Sequence, residues 1–161
     1  MSIRGKDAEA FIEAARRAGL PLVEQGVNVA AIEPTRGISP PVGKPLILCL
    51  PWPPSVNRYW RSVGGKVLIS REGREYRKAV VRKVSQLKPL TGPLKVTLLA
   101  RPPDRRRRDM DNLMKATLDS LAHANVYEDD SQIDDLRIKR GHVSPHGGEI
   151  VAVIQRLEAG G

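Results

Sequence analysis

The chain has 161 residues, of which 27 are lysine or arginine and 18 are aspartate or glutamate, so its formal net charge at pH 7 is +9. This length allows one domain with a substantial core plus an appendage. The basic excess indicates a polyanionic partner, most simply DNA or RNA; the alternative is charge that serves only solubility. Aromatic residues make up only 4% of the chain, which argues against a protein that stacks single-stranded bases on an aromatic platform.

Nothing in the sequence indicates secretion or membrane insertion. No apolar run approaches the length of a membrane-spanning helix, and the N-terminus lacks the apolar segment of a signal peptide. The single cysteine, Cys49, lies in an apolar run and is expected in the core. Because the chain has only one cysteine, it cannot form an internal disulfide. We therefore expect a soluble intracellular protein with no membrane partner.

The first 44 residues are predicted to be an extension to the domain that follows. Residues 6–19 carry apolar side chains at helical spacing, and Gly19 marks a plausible end. Residues 20–45 contain several prolines and glycines without a sustained period, which predicts an irregular connector. We place the domain boundary near residue 44.

Residues 45–157 have the mixed pattern of an α/β domain. The predicted elements are a strand over 46–50, a hairpin over 59–69 around Gly64-Gly65, a helix from its N-cap Ser70 to Leu87, a strand over 93–100, a helix over 110–124 ending at Asn125, and two strands over 133–143 and 149–156 joined as a hairpin. This order predicts a single mixed-sheet domain packed by two helices.

Carboxylates are concentrated in one stretch of this basic chain. Asp109 and Asp111 directly follow four consecutive arginines, and a second acidic group lies within residues 128–135. Because carboxylates repel phosphate, such a cluster would weaken the binding of a polyanion unless a divalent cation lay between carboxylate and phosphate. The pattern therefore predicts a metal-dependent enzyme that acts on nucleic acid.

The spacing of the acids constrains how they could hold a metal. Residues two apart on one helix point away from each other, so Asp109 and Asp111 converge only if Asp109 lies in the loop or cap and Asp111 in the first helical turn. Together with Asp129 or Asp130 they would suffice for Mg²⁺, with Mn²⁺ as an alternative. Lys115 lies one turn beyond Asp111; it could form only a surface ion pair, or it could orient a carboxylate, neutralise the scissile phosphate or help to activate water.

Each acid also has an ordinary structural interpretation. Asp109 could be only an N-cap, and Asp119 is expected to face solvent. Residues 128–130 could form a solvated loop, and Asp134 and Asp135 could offset nearby arginines. The joint pattern, rather than any single acid, indicates a metal site.

Five segments of the chain resemble the RusA family of Holliday junction resolvases, which are small Mg²⁺-dependent endodeoxyribonucleases often carried by prophages. The matching segments are PPSVN at 53–57 with Trp60, RRDMDNLMK at 107–115, LDSL at 118–121, VYEDD at 126–130 and QIDDL at 132–136. The combination of Asp-x-Asp-Asn-x-x-Lys with a later Asp-Asp is specific, whereas each segment alone is weak. The resemblance covers about residues 45–157.

The resemblance implies both a catalytic set and an assembly. The family's three essential, metal-holding acids fall on Asp109, Asp111 and Asp130, and its catalytic lysine falls on Lys115; Asp129 is a lesser candidate. The implied protein is a bacterial or phage-encoded homodimer of the cytoplasm, active in DNA recombination and repair. Its two active sites would nick opposing strands of a four-way junction symmetrically.

The resemblance also implies which residues contact DNA. Asn57, Arg58 and Arg61 would belong to a loop close to the DNA, although Asn57 could only shape the turn. The phosphate contacts beside the metal would come from Arg105, Arg106, Arg107 and Arg108. Residues 1–44 have no recognised counterpart in the family core.

Two other functions are compatible with the sequence. One is a non-catalytic scaffold that binds junction or duplex DNA, indifferent to Mg²⁺ and to the aspartates. The other is the same chemistry directed at flaps, forks or RNA.

Overall fold

The structure, a computed structural model, describes residues 45–84, 87–144 and 146–158. The helix expected over residues 6–19, the connector after it and the boundary near residue 44 lie outside the described residues. No helix in the described part of the chain is both long enough and apolar enough to cross a membrane.

The described residues form a mixed α/β domain, which confirms the predicted fold class. Its elements are β1 (Leu46–Pro51), α1 (Val56–Tyr59), β2 (Trp60–Val63), β3 (Lys66–Ile69), α2 (Arg71–Val84), β4 (Leu94–Arg101), α3 (Asp111–His123), a 3-10 turn (Asp130–Gln132), β5 (Ile133–Arg140) and β6 (Glu149–Arg156). The short helix α1 was not predicted, and Leu87, the expected end of α2, is not helical.

Four strands form the main sheet in the order β1-β6-β4-β5. Strand β6 is antiparallel to both of its neighbours, β1 and β4, whereas β4 and β5 are parallel. The predicted hairpin between the last two strands is therefore wrong, because β4 lies between them. Strand β6 buries five consecutive residues, 150–154, and so takes a central position, while the charged strand β5 forms an edge.

Local signals explain the ends of several elements. Ser70 caps α2 as predicted, since its Oγ accepts a hydrogen bond of 3.0 Å from the Gly73 amide. Asn125 follows α3 with a φ of 56°, the left-handed conformation that commonly ends a helix.

The loop before β6 passes close to the end of β4. Gly148 has a φ of 75°, and a Cβ there would lie 2.7 Å from Pro103 Cδ. Gly148 thus permits a close approach to Pro103, just past the end of β4, rather than a hairpin turn.

The core lies between the main sheet and the helices. Helix α2 packs against α3 and β1, and the largest buried aliphatic side chains come from the main sheet and from both of these helices. They include Leu50, Val80, Val84, Leu94, Leu98, Leu121, Ile150 and Ile154. Burial of each such side chain contributes roughly 1.5–3 kcal/mol. Cys49 is only half-buried and lies on the other face of β1, contrary to the expectation that it belongs to the core.

The unit β4–α3–β5 determines where the acidic residues lie. Parallel pairing matches Leu94 with Ile133 at the start of the two strands and Ala100 with Arg140 at their end. The loop over residues 102–110 leaves the end of β4, and α3 then returns the chain to the start of β5. The two acidic groups predicted from the sequence consequently lie around the start of α3 and after its end along the chain.

Candidate active site

Asp109 and Asp111 flank the beginning of α3. Asp109 lies in the loop, Met110 occupies the N-cap position and Asp111 is the first residue of the helix. This is the loop-and-first-turn arrangement that convergence of the two carboxylates requires. Both residues are exposed, and the helix N-terminus favours negative charge at this position.

Neither carboxylate has an ordinary structural role within the described residues. Asp109 is not the N-cap, and Met110 in that position makes no side-chain capping bond. Neither Asp109 nor Asp111 forms a hydrogen bond or an ion pair through its side chain with another described residue, so the expected alternative of an Asp111–Lys115 ion pair is not observed. Two exposed carboxylates beside an arginine run are therefore available to a cation.

The loop before α3 is held by Asp104. Its Oδ1 and Oδ2 accept hydrogen bonds of 2.6 and 3.0 Å from the Arg108 guanidinium, and Oδ1 accepts one of 2.8 Å from the Arg106 amide. The bonds from Arg108, followed by the one from Arg106, lower the pKa of Asp104 to about 2. Because Asp104 is engaged in this way, it is a structural acid, unlike Asp109.

The four arginines of this loop differ in their surroundings. Arg108 lies 5.8 Å from the centroid of the Trp52 ring, and its carbonyl accepts a 2.7 Å hydrogen bond from Arg140. Arg108 therefore anchors the loop, although it was predicted only as a phosphate contact. Arg106 is exposed, 3.8 Å from Asp104. Arg105 and Arg107 are exposed and have no side-chain partner among the described residues.

A cleft of about 680 Å³ opens beside Asp109. Its walls come from residues 51–55, from α2 and from the loop before α3. The cleft brings Asp109 together with three of the predicted DNA contacts, Arg58, Arg107 and Arg108. Arg58 is held there by a 2.8 Å ion pair with Glu72. The other four predicted contacts are exposed but do not line this cleft; they are Asn57 in α1, Arg61 in β2, and Arg105 and Arg106 in the loop before α3.

Asp130 lies in the 3-10 turn that precedes β5. Desolvation and, next, the charge of Asp119 raise the pKa of Asp130, while Tyr127 and Lys115 act in the other direction. Asp119 is half-buried and close enough to influence Asp130, contrary to the expectation that it only faces solvent. Its spacing from Asp111 and Lys115, four residues per step, is the sequence signal that places all three on one face of α3.

The neighbouring Asp129 has a structural role instead. It caps the 3-10 turn, with its Oδ2 accepting a 3.1 Å hydrogen bond from the Ser131 amide. The Gln132 side chain reciprocates by accepting from the Asp129 amide at 3.0 Å, which completes a capping box. The two adjacent aspartates therefore differ in role, because the Asp129 carboxylate is used to cap the 3-10 turn.

One chain does not bring the three predicted metal ligands together. Asp109 and Asp111 lie at the start of α3, whereas the charges that act on Asp130 belong to Lys115 and Asp119, one and two turns further along the helix. Accordingly, within the described ranges no three His, Cys, Asp or Glu side chains are grouped closely enough to hold a metal ion.

The chemistry of the separate parts still suits a hard cation. Mg²⁺ prefers oxygen ligands, keeps several waters and is commonly held by one or two carboxylates together with substrate phosphates. Asp109 and Asp111 supply two such carboxylates next to basic side chains. These two carboxylates would hold a magnesium ion beside a bound DNA backbone.

Comparison with known proteins gives a consistent result over the same region. Residues 51–152 match the protein-family model described as Endodeoxyribonuclease RusA. The crossover junction endodeoxyribonucleases RusA of Enterobacteria phage HK97, Shigella sonnei strain Ss046 and Escherichia coli strain K12 are 46%, 43% and 42% identical to this chain over 113 residues. The aligned part is 68% of this chain and 93% of each relative. The resemblance inferred from the sequence is thereby confirmed.

Proposed function

The chain belongs to the RusA family of endodeoxyribonucleases, and we propose that it resolves four-way DNA junctions by paired, metal-dependent nicks on opposing strands. The observation that carries this proposal is the pair of exposed carboxylates, Asp109 and Asp111, which lack structural partners among the described residues and lie beside an arginine-lined cleft. A protein that only bound DNA would lose affinity through these charges, whereas a metal-dependent nuclease needs them.

Asp109 and Asp111 would hold Mg²⁺, or Mn²⁺ with its similar preference for oxygen ligands. When bound, such an ion lowers the pKa of an attacking water and offsets charge on the phosphate. Arg105 and Arg107, which have no side-chain partner among the described residues, bind the neighbouring backbone phosphates. Lys115, one helical turn from Asp111, offsets charge at the scissile phosphate.

The protein acts as a homodimer, since symmetric nicks on two strands require two active sites related by a two-fold axis. A site shared between protomers is supported by the lack, among the described residues of one chain, of three acidic side chains grouped closely enough to hold a metal ion. In this arrangement Asp130 of the partner subunit completes the site begun by Asp109 and Asp111. The relatives come from bacteria and a phage, and the proposed place of action is the bacterial cytoplasm, where recombination intermediates arise.

The test is cleavage of an end-labelled synthetic four-way junction against a linear duplex of matched sequence, with Mg²⁺ or with EDTA. Wild type should give symmetric nicks only on the junction and only with Mg²⁺. Asp111→Asn should abolish these nicks and leave junction binding equal or tighter, because a charge that repels phosphate is removed. Asp134→Asn, which neutralises another exposed aspartate, is the matched control and should cleave normally.

Junction binding by the wild type without nicks under any metal condition would overturn the nuclease and favour a DNA-binding scaffold. Preferential cleavage of flaps, forks or RNA at the same stated salt concentration would retain the chemistry and change the substrate.

A further inference from the structure

We propose that the β2–β3 hairpin inserts its apolar tip at the branch point of the DNA junction and thereby distinguishes branched DNA from linear duplex. This inference rests on the proposed function and adds a substrate-selecting surface outside the cleft. The hairpin comprises Trp60–Val63 and Lys66–Ile69 and forms a two-stranded sheet of its own, separate from the main sheet.

The hairpin has an anchored base and a projecting tip. Trp60 and Ile69, which pair at the base, pack against the core. The Ser70 amide donates a 2.9 Å hydrogen bond to the Tyr59 carbonyl, and Arg74 Nη1 donates one of 2.9 Å to the Ile69 carbonyl. The tip is closed by Gly64-Gly65, both with positive φ, as in the tight hairpin turns that match strand twist. The base fixes the direction in which the tip points.

The tip exposes aliphatic side chains that have no cover among the described residues. Val63, Val67 and Leu68 are 49%, 69% and 42% exposed. Val63 and Leu68 lie on the face turned away from the core, because side chains alternate along a strand and Trp60 faces inward. Such a group of large apolar side chains at a projecting tip indicates a binding surface.

Basic residues accompany these aliphatic side chains. The outer face pairs Arg61 with Leu68 and Val63 with Lys66, so each apolar side chain of this face lies across from a cation, whereas Val67 lies on the other face, across from Ser62. From Arg58 to Arg71 the chain has four basic residues and no acidic residue. Apolar side chains can contact base faces while flanking cations contact phosphates, so the surface matches DNA in both respects.

The same charges argue against a second copy of this chain as the occupant. A two-fold contact between hairpins would bring Arg61 and Lys66 of one protomer against the same cations of the other. Like charges across an interface are unfavourable, and the hairpin has no acidic residue to offset them.

Branched DNA is favoured over linear duplex because of the energy of stacking. Inserting an aliphatic side chain into a continuous duplex separates stacked bases, which is unfavourable at each step that is disrupted. At the branch point of a four-way junction stacking is already interrupted, so the same insertion costs less. The aliphatic tip therefore contributes selectivity for the branch, whereas Arg61 and Lys66 contribute affinity for any DNA backbone.

The test uses a variant with Val63→Thr, Val67→Thr and Leu68→Thr, because threonine keeps the strand preference of the hairpin while adding polarity. Val81→Thr, at a valine 38% exposed on α2, is the matched control. Affinities for a synthetic four-way junction and for a linear duplex are measured at one salt concentration. Junctions with 2-aminopurine beside the branch point report base unstacking by fluorescence.

The triple variant should lose about tenfold in junction affinity, keep its duplex affinity within about twofold, and no longer raise the 2-aminopurine fluorescence that wild type raises. The control should behave as wild type. Unchanged junction affinity of the triple variant would overturn the proposal, as would its dissociation into monomers in sedimentation, which would make the hairpin a subunit contact. Failure of the proposed function is recognised separately, because wild type would then neither prefer junctions nor nick them.

Discussion

At the scale of residues, the aspartates of this chain divide into engaged and unengaged groups. Asp104 is bound by Arg108, and Asp135 is bound by Arg137, so that the pKa of each is lowered mainly by an arginine hydrogen bond. Asp109 and Asp111 have no such partners among the described residues. Unpaired carboxylates next to arginines are available to a divalent cation, which prefers oxygen ligands.

The adjacent pair Asp129 and Asp130 provides an internal control for this division. Asp129→Asn should retain most cleavage activity, because asparagine caps a helical turn about as well as aspartate. Asp130→Asn should abolish metal-dependent cleavage of the four-way junction, because a proposed metal ligand is lost. Both variants are assayed at saturating protein, with circular dichroism to confirm folding. Equal activity of the two variants would contradict the assignment of Asp130.

The sequence predicted the positions of Asp109 and Asp111 because a helix start is a local property. It did not predict the anchoring roles of Asp104 and Arg108, since these depend on how the loop meets Trp52 and Arg140. The capping box at Asp129 was detectable in principle, because Gln132 follows three residues later.

At the scale of elements, the positions of the strands along the chain were predictable from the sequence. Which strands lie next to each other in the sheet was not. Strands β5 and β6 lie near their predicted positions, yet they are separated by β4. The Gly147-Gly148 signal indicated a turn, but pairing depends on which strand can be buried on both sides. The apolar run of β6 and the charges of β5 contain that information, and they outweigh the turn signal.

The difference between the central and edge strands can be measured. Leu98, fully buried in β4, is expected to lose about 2 to 5 kcal/mol in the free energy of unfolding when changed to alanine, because a cavity forms. Leu136→Ala on the edge strand β5, where the side chain is 38% exposed, should change it by no more than about 0.5 kcal/mol. Urea denaturation of both variants gives the comparison. A large loss for Leu136→Ala would indicate that another surface covers β5.

At the scale of the whole molecule, the family resemblance specified the substrate, a DNA junction, whereas physical reasoning from the sequence specified only its general class. The net charge of +9 indicated a polyanionic partner, and the acidic pattern indicated a metal, but neither specified a junction. The structure adds that, among the described residues of one chain, Asp109, Asp111 and Asp130 do not form a group that could hold a metal ion. A single sequence contains no direct signal for a site completed by a second copy, because the contact is made only after assembly.

The most direct test of a metal-dependent resolvase with shared sites uses mixed dimers. One chain with Asp111→Asn and another with Asp130→Asn are co-expressed with different tags, and the heterodimer is purified through both tags. In a shared arrangement one of its two sites has lost two ligands and the other is intact.

Each homodimeric variant should be inactive, and the heterodimer should nick one strand of the four-way junction with Mg²⁺ and not with EDTA. An inactive heterodimer, beside a wild type that makes paired nicks, would contradict the shared site. Cleavage at the wild-type level by either homodimeric variant would contradict the catalytic roles of these aspartates.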